Sequence, residues 1–203
     1  MNDLKNTIEA SIFWAKRYET NQTGWDIGYP STPLKTYFDQ VQDKNLKILI
    51  SGAGNAYEAE YLFQIGFKNV FVLDIAQPPL TAFQKRVPNF PPTQLIKANF
   101  FEHDGQYDLI VEQTFFCSFP PHPTNRQQYA QKMYELLRHK GQLVGLWFSF
   151  PLTENLSKPP FGGSKTEYLT YFSPLFEIRT FESCYNSIPP RQGNEYFGLM
   201  RKP

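Results

Sequence analysis

Leu46 to Asp74, LKILISGAGNAYEAEYLFQIGFKNVFVLD, decides the fold. An apolar run, Ile48 to Ile50, is cut by Gly52-Ala53-Gly54; after it Ala56, Ala59, Tyr61, Leu62, Phe63 and Ile65 recur at helical spacing until Gly66. This reads as strand, glycine turn and helix. A second apolar strand, Val70 to Leu73, ends in Asp74 about twenty residues after the glycines, so the unit is βαβ with a carboxylate closing its second strand. A carboxylate at that place suits the two hydroxyls of a nucleotide ribose.

Two cofactor classes use such a unit, and the glycine spacing separates them. A dinucleotide fingerprint, G-x-G-x-x-G, needs its third glycine for close packing of helix on strand, and here that position is Tyr57. The spacing G-x-G-x-x-x-[DE], met here by Gly52, Gly54 and Glu58, is the way enzymes of S-adenosylmethionine open their first helix, with no pyrophosphate to cradle. Taken alone, Gly52-Ala53-Gly54 is also compatible with a tight strand-to-helix turn and nothing more. Asp74, at the right distance, favours the nucleoside reading.

The composition bounds the rest. With 203 residues, 41% of them hydrophobic, the chain is expected to form a single domain, residues 1–203, that buries about 70% of its unfolded surface. A net charge of +1 with scattered basic residues argues against nucleic acid as a partner and for small-molecule work. Cys117 and Cys184 have no metal-ligand spacing and read as free buried thiols in a reducing compartment. No apolar run reaches the length of a signal peptide core or a membrane span, so a cytoplasmic protein without membrane contact is expected. The sequence carries no signal for oligomeric state and is compatible with a monomer. The 19 Phe, 12 Tyr and 17 Pro predict stiff loops and aromatic pockets.

Residues 1–45 read as an N-terminal lid and helices. Leu4, Ile8, Ile12, Phe13, Trp14 and Ala15 predict a helix over residues 4–20, ending before Asn21-Gln22-Thr23-Gly24. Trp14, Tyr18 and Trp25 form either an aromatic lid or packing between that helix and the sheet. Aromatic faces attract a cation such as a sulfonium by roughly 0.5–2 kcal/mol each. A short helix, Pro33 to Gln40, leads into the first strand, and after Pro78-Pro79 a further helix ends near Val87. A third strand, Gln94 to Ala98, carries Asn99-Phe100-Phe101 at its end, where an amide can read adenine or cap a turn. The fourth strand, Tyr107 to Val111, is followed by Glu112-Gln113-Thr114-Phe115-Phe116, which is expected to line the ligand crevice. Enzymes that methylate base amino groups carry a polar-Pro-Pro-aromatic turn at this place. Pro120-Pro121 come too late for it, which disfavours base methylation.

Thr124-Asn125 is expected to cap a long helix through Arg138, closed by Arg138-His139-Lys140-Gly141, before a fifth strand from Gln142 to Phe150. Pro159-Pro160-Phe161-Gly162-Gly163 reads as a flexible cover, followed by a helix from about Lys165 to Phe172. Phe176 to Cys184 and Glu195 to Met200 read as an antiparallel hairpin at the sheet edge. The whole is an α/β, doubly wound, Rossmann-like sheet of seven strands ending in an antiparallel hairpin, the class I methyltransferase arrangement.

On these stretches the chain resembles the thiopurine S-methyltransferase superfamily, most closely its branch of halide and thiocyanate (thiol) methyltransferases. Tyr18 to Gly28 is similar to the family's W-x6-W-D-x-G segment, Ile50 to Glu58 to its glycine motif, and Val72 to Ile75 to its L-D-I strand end. Tyr107 to Ser118 is similar to F-D-L-I-x-D-x-x-F-F-C-A; Met133 to Leu137 and Ile188 to Gly193 agree with the branch. The resemblance spans nearly the whole chain. It implies S-adenosylmethionine as cofactor, contacted by Trp14, Tyr18, Trp25, Gly52, Gly54, Asp74, Asn99, Phe100, Glu112 and Gln113. The departures are Tyr18 for a tryptophan, and Asn99 and Glu112 for aspartates. Where the branch places a tyrosine facing the nucleophile, this chain aligns Phe148, with Phe150-Pro151 as the rival alignment; losing that hydroxyl removes a donor to a small anion.

No His-Asp pair, metal cluster or activated lysine is expected near the strand ends, so neither a dedicated catalytic base nor a metal ligand is assigned. The acceptor must already be a good nucleophile: a thiolate, hydrosulfide, an aryl thiol or thiopurine, or alternatively a halide or thiocyanate. Trp14, Phe116, Phe148 and Arg191 are the expected acceptor walls, Arg191 as an anion-attracting charge or as the partner of an acidic neighbour. Cys117 is expected behind the pocket, and His103, His122 and His139 in solvated loops or helix ends. A non-catalytic binding module and a nicotinamide-dependent enzyme are the readings from other classes.

Overall fold

The computed structural model describes residues 7–151 and 158–203. Leu4 and the expected start of the first helix lie outside them. In chain order the elements are α1 (Thr7–Glu19), α2 (Thr32–Gln40), β1 (Ile48–Ser51), α3 (Tyr57–Gln64), β2 (Val70–Asp74) and α4 (Gln77–Arg86). They continue with β3 (Leu95–Lys97), β4 (Tyr107–Gln113), α5 (Pro123–Leu136), β5 (Leu137–Phe148), α6 (Lys165–Phe172), β6 (Glu177–Ser183) and β7 (Glu195–Arg201).

The seven strands form one sheet in the order β3-β2-β1-β4-β5-β7-β6. Pairing is parallel from β3 through β5, and β7 runs antiparallel to both β5 and β6. Strand order therefore reverses between β1 and β4, which opens a crevice beyond their carboxyl ends.

The strands bury both faces, and their two-residue period sorts side chains between two cores. Ile48, Ile50, Val70, Val72, Leu109 and Val111 pack with Leu34 and Phe38 of α2, Leu62 of α3 and Phe83 of α4. Leu49, Leu73, Ile110 and Leu143 point the other way, against Tyr129 and Met133 of α5 and Tyr168 and Phe172 of α6. Both cysteines are free and buried. Among the described residues no helix is long and apolar enough to cross a membrane.

Several boundaries differ from the sequence expectation. The long helix stops at Leu136, and Arg138, His139 and Lys140 belong to β5 instead of closing α5. Tertiary pairing outweighs the helix-end signal. Lys140 N donates to the carbonyl of Lys202, Lys202 N to that of Gly141, and the Lys202 ammonium to those of Tyr134 and Leu137. His139 thus lies in a strand, with Nδ1 at 2.8 Å from the Pro203 carbonyl. At the other end of α5 it is His122, not Thr124-Asn125, that caps, accepting from Thr124 N at 3.3 Å. β4 runs two residues further than expected, through Gln113, and β5 ends at Phe148, two residues earlier.

Gly145 stands mid-sheet in β5, opposite Glu112 of β4 and Gly198 of β7. A Cβ there would come within 2.8 Å of the Glu112 carbonyl oxygen, a backbone atom with no freedom to withdraw. Gly145→Ala is expected to destabilise the fold by about 1–3 kcal/mol, read as a lower urea midpoint by circular dichroism.

Candidate active site

A cavity of about 670 Å³ occupies the crevice at the carboxyl ends of β1, β2 and β4. Its floor is the glycine turn. The Asp74 carboxylate accepts from Gly54 N at 2.8 Å and from Ala76 N at 2.8 Å, so one side chain ties the turn after β1 to the turn after β2. Burial pushes the Asp74 carboxyl up and these backbone donors pull it back down. Gly52 has a φ of +57°, and a Cβ on it would sit inside the Phe115 ring, so the position excludes any side chain on two counts.

Over this floor lies α1, which has no fully buried residue. Polar contacts hold it: Ser11 Oγ donates to the Ile75 carbonyl, Thr7 Oγ1 to Glu102, and the Asn99 amide to Thr7 Oγ1. Trp14, Tyr18 and Trp25 all line the cavity. Trp25 meets Trp14 edge-on at 5.5 Å and Tyr18 at 5.8 Å, and its indole N–H lies 3.4 Å from the Tyr18 hydroxyl. The rings cover the cavity instead of only packing the helix on the sheet. Asn99 caps the turn, its Oδ1 accepting from Phe101 N at 3.0 Å, and it lines the cavity beside Phe100.

The end of β4 divides its residues between cavity and core. Gln113 lines the cavity, with its Oε1 buried and without a hydrogen-bond partner. Glu112, expected at the cofactor, is not there. The period of two turns it onto the face of Ile110, where it is fully buried and accepts from Phe115 N, Phe116 N and the Tyr129 hydroxyl. Burial raises its carboxyl to about 7 against those three donors. Phe116, expected as an acceptor wall, is also turned inward, its ring 4.9 Å from Tyr129 and 5.5 Å from Tyr168. Phe115 and Cys117 line the cavity in its place. Burial pushes the Cys117 thiol up, which keeps it protonated, and its Sγ donates to the Thr114 carbonyl.

Phe148 lines the cavity and Phe150 does not. The Phe150 ring packs on that of Phe148 at 4.9 Å, and Gly163 N donates to the Phe150 carbonyl, so the chain turns away after β5. Arg191 is buried, with one amino group 3.4 Å from Glu195 Oε1, the other donating to the Trp25 carbonyl at 2.7 Å, and its guanidinium 5.6 Å from the Phe148 ring centre. It pairs with an acidic neighbour and lines the cavity as well. Lys158, Pro159 and Pro160 close this end. Among the described residues no group of three acidic, histidine or cysteine side chains is placed to hold a metal ion. His103 is half-buried beside the Tyr107 hydroxyl, away from the cavity.

The profile of the thiopurine S-methyltransferase family matches residues 9–202. The chain belongs to that family. It is accordingly a methyltransferase that uses S-adenosylmethionine. Among relatives, a probable thiol methyltransferase 2 of Arabidopsis thaliana is 30% identical over 195 residues, spanning 93% of this chain and 84% of that protein. Thiocyanate methyltransferase 1 of the same plant is 27% identical over 211 residues, spanning 98% and 88%. In three dimensions the chain is similar to the Burkholderia thailandensis 1,6-didemethyltoxoflavin N1-methyltransferase solved with S-adenosylhomocysteine. The TM-score is 0.78 at 15% identity, with 95% and 87% of the two chains covered, a likeness of fold. The family's cofactor fits the residues present. Gln113 Oε1 is a buried acceptor waiting for a donor, and Asp74 has lone pairs left beyond its two backbone donors.

Among the wall residues that the sequence did not reveal are Arg17, Tyr29 and Phe119. Phe119 lies six positions past β4 and is brought back by a short helical turn at Phe116–Ser118, a return that no local periodicity announces.

Glu112 also gives the fold a pH dependence. Its carboxyl titrates near 4.5 when unfolded and about 7 when folded, so in that window folding takes up a proton and stability falls as pH rises. Between pH 5 and pH 8 the urea midpoint of the wild type is expected to fall further than that of Glu112→Gln, by the equivalent of about 1–3 kcal/mol.

Proposed function

We propose that the cavity holds S-adenosylmethionine and presents its methyl group to a small soft nucleophile, foremost a thiol reacting as its thiolate. In this reading residues 1–203 form one methyltransferase domain covered by residues 1–45, working in the cytoplasm where Cys117 and Cys184 stay reduced. Asp74 receives the ribose hydroxyls, Asn99 and Phe100 take the adenine, Gln113 supplies an acceptor, and the glycine turn of Gly52 and Gly54 lets the ligand approach the backbone. When bound, the cofactor supplies an electrophilic methyl on a sulfonium, open to in-line attack. Trp14, Tyr18 and Trp25 cover that cation with aromatic faces and exclude water.

The observation that carries the acceptor side is the character of the wall facing it. Phe119, Phe148 and Pro160 are apolar, and the described residues lining the cavity include no histidine. The wall carboxylates Asp26, Glu58 and Asp74 already accept from backbone and amide donors, among them Gly28 N, Asn55, Ser31 N, Gly54 N and Ala76 N. Such a wall aligns a nucleophile and takes no proton from it, which supports catalysis through proximity and orientation. The halide and thiocyanate reading rests on Arg191, whose guanidinium lies beside Phe148.

Two outcomes test this. Asp74→Ala is expected to weaken S-adenosylhomocysteine binding, measured by calorimetry, about tenfold or more, since it removes both the ribose acceptor and the anchor of the glycine turn. With a panel of thiols of differing acidity, the inflection of kcat/KM against pH is expected to move with each thiol's own ionisation. An inflection that stays at one pH across the panel would reveal an enzyme group acting as base.

A further inference from the structure

Three carboxylates line the cavity: Asp26, Glu58 and Asp74. Two of them take a protein donor on each oxygen. Asp74 serves the turns after β1 and β2 through Gly54 N and Ala76 N, and Asp26 accepts from Gly28 N through one oxygen and from the Asn55 amide through the other. Glu58 differs. It is the second residue of α3, only 5% exposed, and its side chain accepts from Ser31 N at 2.9 Å and from its own backbone N–H, both uncharged donors. None of the ion pairs among the described residues includes it. Arg191, whose charge reaches it, has its amino groups committed to Glu195 and the Trp25 carbonyl.

A buried carboxylate without a cation is costly, and one that borders a cavity is most simply completed by a cation entering that cavity. In the proposed reading, Asp74 and Asn99 hold the adenosine half of the cofactor. The other half is an amino acid bearing an α-ammonium. Glu58 lies four residues beyond Gly54, on the helix that leaves the same glycine turn, so one short segment is able to address both halves.

We propose that Glu58 is a cofactor-specificity residue whose carboxylate receives the α-ammonium of S-adenosylmethionine, with Ser31 N holding the side chain in place. This rests on the cofactor placement proposed above and goes beyond it, since the glycine motif by itself gives the glutamate no ligand. Glu58 then makes the site select the intact cofactor over adenosyl fragments that lack the amino acid.

The test compares two ligands by calorimetry: S-adenosylhomocysteine, which has the amino acid, and 5′-methylthioadenosine, which does not. In Glu58→Gln, S-adenosylhomocysteine is expected to bind about 10- to 100-fold more weakly, and methylthioadenosine within about twofold of the wild type. Equal weakening of both ligands would mean that Glu58 only supports the Ser31 segment, and unchanged S-adenosylhomocysteine binding would remove it from the site; either result overturns the proposal. Should the variant fail to fold, wild-type protein decides with S-adenosylhomocysteine lacking its α-amino group. This is expected to bind at least about tenfold more weakly than the parent, and equal binding overturns the proposal. If the wild type binds neither adenosyl ligand, the cofactor placement itself falls. If it binds both and Glu58→Gln does not tell them apart, that placement stands and the role of Glu58 alone is lost.

Discussion

The Asp74 carboxylate is the knot on which the site depends. A parallel sheet delivers its strands to a common edge but leaves the loops beyond that edge free to arrange themselves. Here Gly54 N and Ala76 N converge on one buried carboxylate, while Ala53 N donates to the Leu73 carbonyl, so the turns after β1 and β2 are locked together at the edge. Two charge-assisted backbone bonds offset part of the cost of burying the anion, and burial still pushes its carboxyl up. The same geometry leaves Asp74 on the cavity wall, so the group that shapes the floor is also available to a ligand.

A second anion does the corresponding thing one strand over, facing the core. Glu112 collects Phe115 N, Phe116 N and the Tyr129 hydroxyl, which fixes the sharp turn after β4. That turn places the Phe115 ring in the space left by the missing Gly52 side chain, and Tyr129 packs against Phe100, Phe115, Phe116 and Phe119. Cofactor turn and acceptor wall are thereby joined through aromatic contacts to a single buried carboxylate. Changing Glu112 acts on both through position, without a group that touches either ligand.

The contrast between Asp74 and Glu112 shows what a sequence makes legible. Strand, glycine turn, helix and strand from Ile48 to Asp74 follow from local periodicity and turn chemistry, and a strand-end carboxylate needs only a count of residues. Glu112 also stands near a strand end, but because β4 continues to Gln113 the pleat turns it inward; a boundary shifted by two residues exchanged cavity for core. Leu137 to Gly141 misled for a related reason. Arg138, His139, Lys140 and Gly141 have the composition of a helix end, yet their backbone is claimed by Lys202, some sixty residues away, and a partner that distant leaves no local trace. The aromatic cover was legible as a choice between lid and packing. The structure sets all three rings along the cavity, two of them on a helix with no fully buried residue.

At the acceptor end the balance of groups bears on what the proposed reaction accepts. Arg191 is the buried cation at that wall, but it enters the cavity already bonded to the Trp25 carbonyl and paired with Glu195, so much of its field is spent inside the protein. A small, strongly hydrated anion gives up its water only for several direct donors, and neither Phe148 nor Phe119 offers one. A sulfur nucleophile loses less hydration and gains more from polarisable ring faces. The same Arg191 bond to the Trp25 carbonyl ties the wall at Phe148 to the aromatic cover. In the proposed reaction such a wall draws on fit and dispersion more than on charge, which suits a soft, weakly hydrated nucleophile such as a thiolate.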